Sequence, residues 1–310
     1  MVNAAHHSIA LDPRALLALR HLEWRVRAVM EGVRVGLHRS PFAGSSVEFS
    51  EYRPYTTGDD MRHLDWRVLA RSDRYYLRKH EEETNLRAWL VLDASRSMQF
   101  GSVPGVTKDS YAKTLVASLA WFLQDQRDVP GLARFHRGLV DVIPPQSRPG
   151  HLRRILAALE QPADGADSDL RQALGALARL CRRRSLIIVV SDFLAPTETW
   201  SGALGELAAA GHDVRALQVL DPAEPALEHL DRAARWEDLE TGQARYVDPG
   251  RARAGYRQRF ARHAAAVRQA CDTAGVPFQT ILTQEPVDRA LLDFLRQRPP
   301  LRRGARGARR

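Results

Sequence analysis

The chain has 310 residues, a formal net charge of +9, 44% hydrophobic residues and only two cysteines. That length can bury a full core in one large or two modest domains, while its longest apolar stretches, 115–123 and 186–190, fall well short of the about 20 residues a membrane helix requires. The segment from Arg298 to the end holds six arginines and no acid, so most of the basicity belongs to a tail and not to the body.

The opening Met1 to Ala10 is polar and contains histidine, without the apolar run of a secretory signal, which makes a cytoplasmic protein the expectation. Leu16, Leu19, Leu22, Val26 and Val29 then recur at helical spacing, with Arg14, Arg20, Arg25 and Arg27 on other faces. The pattern predicts an amphipathic N-terminal helical segment over 1–35. Glu23 and Glu31 dilute its positive charge, favouring packing on protein over a lipid surface.

Residues 36–83 change in character: acids and arginines alternate with aromatics through Glu48–Tyr55, Gly58–Arg67 and Ala70-Arg71. Arg53, Asp59, Asp60, Arg62, Asp65 and Arg71 form either a docking surface or an ion-pair network that pins the segment to the sheet. Paired charges of both signs more often satisfy each other than wait for a partner, which favours the network.

From residue 84 the text alternates strand and helix. Leu90-Val91-Leu92-Asp93 is an apolar run ending in a carboxylate, followed by hydroxyls at Ser95 and Ser97. Such a run reads as a buried parallel strand opening into a loop, and the carboxyl ends of parallel strands are where open α/β sheets bind ligands. A helix over 108–124 follows, then strands near 131–135 and 139–143 joined by Arg137-Gly138, and helices near 151–159 and 170–182. Ser168, just before the second of these, is a candidate N-cap or metal donor. A second apolar run, Leu186 to Val190, ends in Ser191-Asp192; a helix over 200–210 and a strand over 213–219 come next. The prediction is an α/β fold, a doubly wound, mostly parallel sheet with one antiparallel edge. Beyond it, 236–247 reads as a hairpin around Thr241-Gly242, 251–273 as a long helix, 276–282 as a last strand and 289–296 as a last helix. The intended division is thus 1–35, 36–83, 84–297 and a basic disordered tail over 298–310.

Asp93, Ser95, Ser97, Ser168 and Asp192 offer hard oxygen donors, the ligands that Mg²⁺ prefers and Mn²⁺ accepts. Ser and Asp also cap helices on their own account, so a capping role for Asp93, Ser95 and Ser97 remains open on sequence alone.

The pattern Asp93-x-Ser95-x-Ser97 resembles the von Willebrand factor A fold, whose metal-ion-dependent adhesion site runs Asp-x-Ser-x-Ser, then a Thr, then a later Asp. Asp192 takes the last place and Ser168 that of the Thr, a departure that keeps the hydroxyl but loses the methyl that stiffens the rotamer. The Arg53-x-Tyr55-x-x-Gly58-Asp59-Asp60 core, Asp65-Trp66, Ala70-Arg71, the hairpin Asp238-Leu239-Glu240-Thr241-Gly242 and the closing Leu291-x-x-Phe294-Leu295-x-x-Arg298 further resemble the bacterial domain-of-unknown-function family number fifty-eight, over about 36–298. That resemblance implies a metal-dependent adaptor that presents its ion to the acidic side chain of a protein ligand and works with a MoxR-type AAA+ ATPase.

Catalysis has little support. No histidine is spaced to serve Ser95 or Ser97 as a base, and neither a Walker-type glycine loop nor a Cys/His cluster occurs. Cys181 and Cys271 lie in helical patterns and read as reduced packing residues. The alternative to the adaptor is nucleic-acid or anionic-surface binding through Arg182, Arg183, Arg184 and the tail, but no aromatics interleave with those tail arginines, making nucleic acid the weaker partner.

Overall fold

The computed structural model describes residues 12–38, 52–54, 76–78, 85–163, 165, 168–226, 234–237, 244–247 and 249–296. The chain divides into two units, Met1–Leu37 with Leu86–Arg310, and His38–Asn85. In the second unit, β1 (Tyr52–Pro54) pairs antiparallel with β2 (Tyr76–Arg78). Of the arginine-aspartate cluster read in 36–83, only the backbone of Arg53 is among the described residues; the rest of the cluster lies outside them.

The larger unit begins with α1 (Pro13–Leu17) and α2 (Leu22–His38). Periodicity predicted one continuous helix here, and the structure breaks it at 18–21. The break is held by Arg25, whose Nε donates to the Leu19 carbonyl at 2.6 Å and whose second guanidinium nitrogen donates to the Leu17 carbonyl at 3.2 Å, giving freed carbonyls a partner. Leu19 is consequently turned outward, while Leu16, Leu22, Val26, Val29 and Val33 are buried.

Six strands make the main sheet: β3 (Arg87–Asp93), β4 (Val129–Phe135), β5 (Leu139–Ile143), β6 (Leu186–Ser191), β7 (Asp213–Leu220) and β10 (Phe278–Leu282), in the order β10-β7-β6-β3-β4-β5. All neighbours are parallel except β4 and β5. Both faces of the central strands are apolar, which is why they read as unbroken hydrophobic runs. On β3, Ala88, Leu90 and Leu92 face one layer, with α2, α3 (Lys108–Asp125), α4 (His151–Leu159) and α9 (Val287–Arg296). Trp89 and Val91 face the other, with α5 (Leu170–Leu180), α6 (Thr197–Ala209) and α8 (Pro249–Thr273). At about 1.5–3 kcal/mol for each fully buried large aliphatic side chain, these two layers hold the sheet.

This is the doubly wound, mostly parallel α/β architecture that the sequence led us to expect. The short α7 (Ala223–Ala226) follows β7, and β8 (Ala234–Glu237) pairs antiparallel with β9 (Ala244–Val247) as the predicted hairpin requires; its turn lies outside the described residues. Among the described residues no helix is long and apolar enough to cross a membrane.

The winding reverses between β3 and β6. From β3 the chain crosses through α3 on one face to β4, and from β6 through α6 on the other face to β7. The carboxyl ends of β3 and β6 therefore flank the crevice at the topological switch point.

Candidate functional site

Strand register builds the site. Leu92 pairs with Val190, so Ser191 and Asp192 leave β6 beside Asp93 at the end of β3. Asp93 is fully buried; its Oδ1 accepts from the Ser95 backbone N–H at 3.0 Å, and its Oδ2 from Ser191 Oγ at 2.7 Å and Ser168 Oγ at 3.0 Å. Ser95 Oγ and Ser97 Oγ lie 3.0 Å apart, and Ser97 Oγ donates to Asp192 Oδ2 at 2.8 Å. All five residues singled out from the sequence converge, joined by hydrogen bonds.

Capping does not account for them. The segment after β3 is a short 3₁₀ helix, Arg96–Gln99, and its leading residue Ser95 makes no side-chain cap bond. Ser168 is not the N-cap of α5 either: that place belongs to Asp169, whose carboxylate accepts from the Gln172 N–H at 2.9 Å. Ser168 is thereby left facing Asp93. Its approach depends on Gly165, which bridges to Ser95 and receives the Arg96 N–H on its carbonyl at 2.8 Å. A Cβ at Gly165 would collide with the His136 side chain.

The loop after β6 is equally constrained. Phe193 adopts a left-handed φ of 50°, unusual for a bulky residue. Its N–H donates to Ser191 Oγ at 3.1 Å, its carbonyl contacts His263 Nε2 of α8 at 2.8 Å, and its ring meets Trp200 edge-on at a centroid distance of 5.2 Å. These contacts turn Asp192 back over the strand ends, where its carbonyl accepts from Gln218 Nε2 at 2.8 Å.

Sequence reasoning missed three participants. Ser191 bonds Asp93 directly, and its place at the end of a strand beside Asp192 was the available signal. Lys108, the first residue of α3, reaches Asp192 Oδ2 at 2.8 Å and Glu224 Oε1 at 2.6 Å, with the lysine side chain 1% exposed. Nothing in the spacing of Lys108 and Glu224 marks them as neighbours.

The electrostatics divide the carboxylates. Burial and the nearby charge of Asp192 raise the pKa of Asp93. Burial opposes ionisation of Asp192 as well, but the Lys108 ammonium, with hydrogen bonds from Lys108 and Ser97, holds its carboxyl below the usual range. Glu224 is raised by burial despite the same lysine, and Lys108 stays protonated because its two acids outweigh the cost of burial. Asp192 and Glu224 share the Lys108 ammonium, and Asp93 is a third acid beside Asp192; counted as ionised, the three exceed the one ammonium by two formal charges. Buried charge requires pairing or a bound ion. Carboxylate and hydroxyl oxygens are the donors a hard divalent cation such as Mg²⁺ or Mn²⁺ prefers; among the described residues no group of three or more His, Cys, Asp and Glu is arranged to hold a metal.

The other sequence features lie elsewhere. Arg182, Arg183 and Arg184 are exposed ahead of β6, on the amino-terminal rim of the sheet opposite the site, and the tail lies outside the described residues. Cys181 and Cys271 are free and buried, their thiols pushed up by burial to about 11 and about 12.

Residues 51–270 match the family model described as "Protein of unknown function DUF58". Uncharacterized protein Rv1480 of Mycobacterium tuberculosis is 31% identical over 299 residues, 95% of this chain and 92% of that protein. Uncharacterized protein MAV169 of Mycobacterium avium is 33% identical over 155 residues, 50% of this chain and 88% of that protein. Among solved structures, BatB from Bacteroides thetaiotaomicron aligns at 17% identity over 68% of this chain and 97% of that one, with a TM-score of 0.43. The SpRpn10 VWA domain aligns at 14% identity over 69% of this chain and 96% of that one, with a TM-score of 0.40. By the family match and the near full-length mycobacterial relative, this chain belongs to the DUF58 family.

Proposed function

We propose that this protein is a divalent-cation-dependent protein-interaction module. The observation that carries the proposal is the meeting of Asp93, Ser95, Ser97, Ser168 and Asp192 from three separate segments at the switch point. Asp93 and Asp192 supply charge to the ion, and the three serines supply neutral oxygens. An ion held there would supply a Lewis-acidic point of attachment for a carboxylate from a protein partner. The protein's own part is to hold its oxygens rigidly, through Phe193, Gln218 and Gly165, so that little ordering remains to be done on binding. Phe100 and Leu194, each 38% exposed and adjacent to Lys108 and Asp192, furnish apolar contact beside the polar centre, an arrangement suited to a docking surface.

The resemblance of the motifs points to a MoxR-type AAA+ ATPase as the partner, with the module acting as an adaptor in assembly or maturation of protein complexes. The test is association of the full chain with a purified ATPase of that type. Binding in Mg²⁺ that is lost in EDTA, and lost in Asp93→Ala, is the expected result; binding that persists in chelator overturns the cation dependence.

A further inference from the structure

A lysine opening a helix has the wrong sign for the helix dipole, and a fully buried lysine is uncommon without partners. Lys108 is both. The capping of α3 does not need it, since Thr107 and Ser110 form a reciprocal box of their own. Its stem is enclosed, its ammonium lies 5.9 Å from the centre of the Phe100 ring, and its head is shared between Asp192, after β6, and Glu224, after β7. The oxygen it takes on Asp192, Oδ2, is the same one that receives Ser97. Lys108 thus sits on the carboxylate that the cation reading assigns to the ion. Glu224 is fixed in turn, its Oε2 accepting from the Asp221 N–H at 2.8 Å, so the lysine always has a second anchor.

We infer that Lys108 is a tethered resident cation that competes with the divalent ion for Asp192, and that Glu224 is the alternative seat that holds the ammonium when the ion takes that carboxylate. The inference rests on the cation-dependent reading above and adds its regulation. Like charges in a site of low dielectric repel strongly, so the lysine keeps the intrinsic affinity for the ion low.

The experiment is Mn²⁺ binding to the full chain, read by electron paramagnetic resonance of free Mn²⁺, for wild type, Lys108→Gln and Glu224→Gln, with circular dichroism as the folding control. Removing the ammonium is expected to tighten Mn²⁺ binding on the order of tenfold. Removing the alternative seat commits the ammonium to Asp192 and is expected to weaken binding by about threefold or more. Unchanged or weaker binding in Lys108→Gln, as a lysine that merely positions Asp192 would give, overturns the inference while leaving the cation reading intact. Absence of binding in every variant and in wild type removes both. Should Lys108→Gln fail to fold, Glu224→Gln decides alone: unchanged affinity rejects the competition.

Discussion

Ser168 Oγ donates to Asp93 Oδ2 across 3.0 Å although 75 residues separate the two in the chain. The bond brings the approach to α5 against the end of β3 and sets a hydroxyl beside the Asp93 carboxylate. Ser168→Ala removes the oxygen and is expected to weaken Mn²⁺ binding by about tenfold or more, while Ser168→Thr retains it. Titration calorimetry on both variants checks this; equal affinity in Ser168→Ala and wild type would exclude the hydroxyl from the site.

Asp93 yields a prediction with opposite signs in two conditions. Its pKa is raised in the folded state by burial first and by Asp192 second, so folding favours the protonated carboxyl. That stabilisation is complete below the unfolded value of about 3.9 and is lost as pH rises through the folded value. Without divalent ions, Asp93→Asn should therefore melt above wild type at neutral pH, by about 3 °C, the difference fading in acid. Millimolar Mg²⁺ should raise the wild-type Tm and leave the variant's unmoved. Thermal scans over a pH series, with and without Mg²⁺, measure both effects.

Gly165→Ala places a methyl group against His136 in a buried bridge to Ser95. An overpacked site of this kind costs about 1–3 kcal/mol, which urea unfolding will report. The same change should loosen Ser168 and lower Mn²⁺ affinity, coupling stability to binding through a position that touches no ion.

The two thiols offer a prediction away from the site. With values raised by burial to about 11 and about 12, Cys181 and Cys271 should resist a thiol-directed chromogenic reagent at pH 8 and react at once in denaturant. Rapid native labelling of either would contradict their placement in the helical layer.

Much of this arrangement was legible in the sequence, for identifiable reasons. Leu90 to Asp93 and Leu186 to Asp192 declared themselves because a strand buried on both faces must be apolar throughout, so an acid at its end stands out. Ser168 could be assigned only by resemblance, since its neighbour Asp169 was an equally good cap and proved to be the cap. Lys108 and Glu224 left no trace: a lysine at a helix start reads as a solvated charge, and only the convergence of α3, β6 and β7 buries it. The break at 18–21 was hidden for a similar reason, because no glycine or proline marks it and the stabilising group, Arg25, lies within the next helix. The tertiary partner, not the local pattern, decides such cases.

The layer that α2 shares with α3 and α9 has a practical consequence for anyone who trims this protein. A fragment beginning at residue 84 would retain every oxygen of the proposed cation site yet uncover the groove that Leu22, Val26, Val29 and Val33 fill. Such a truncation should come out sticky and self-associating, and its behaviour would say more about the missing cover than about the site beneath.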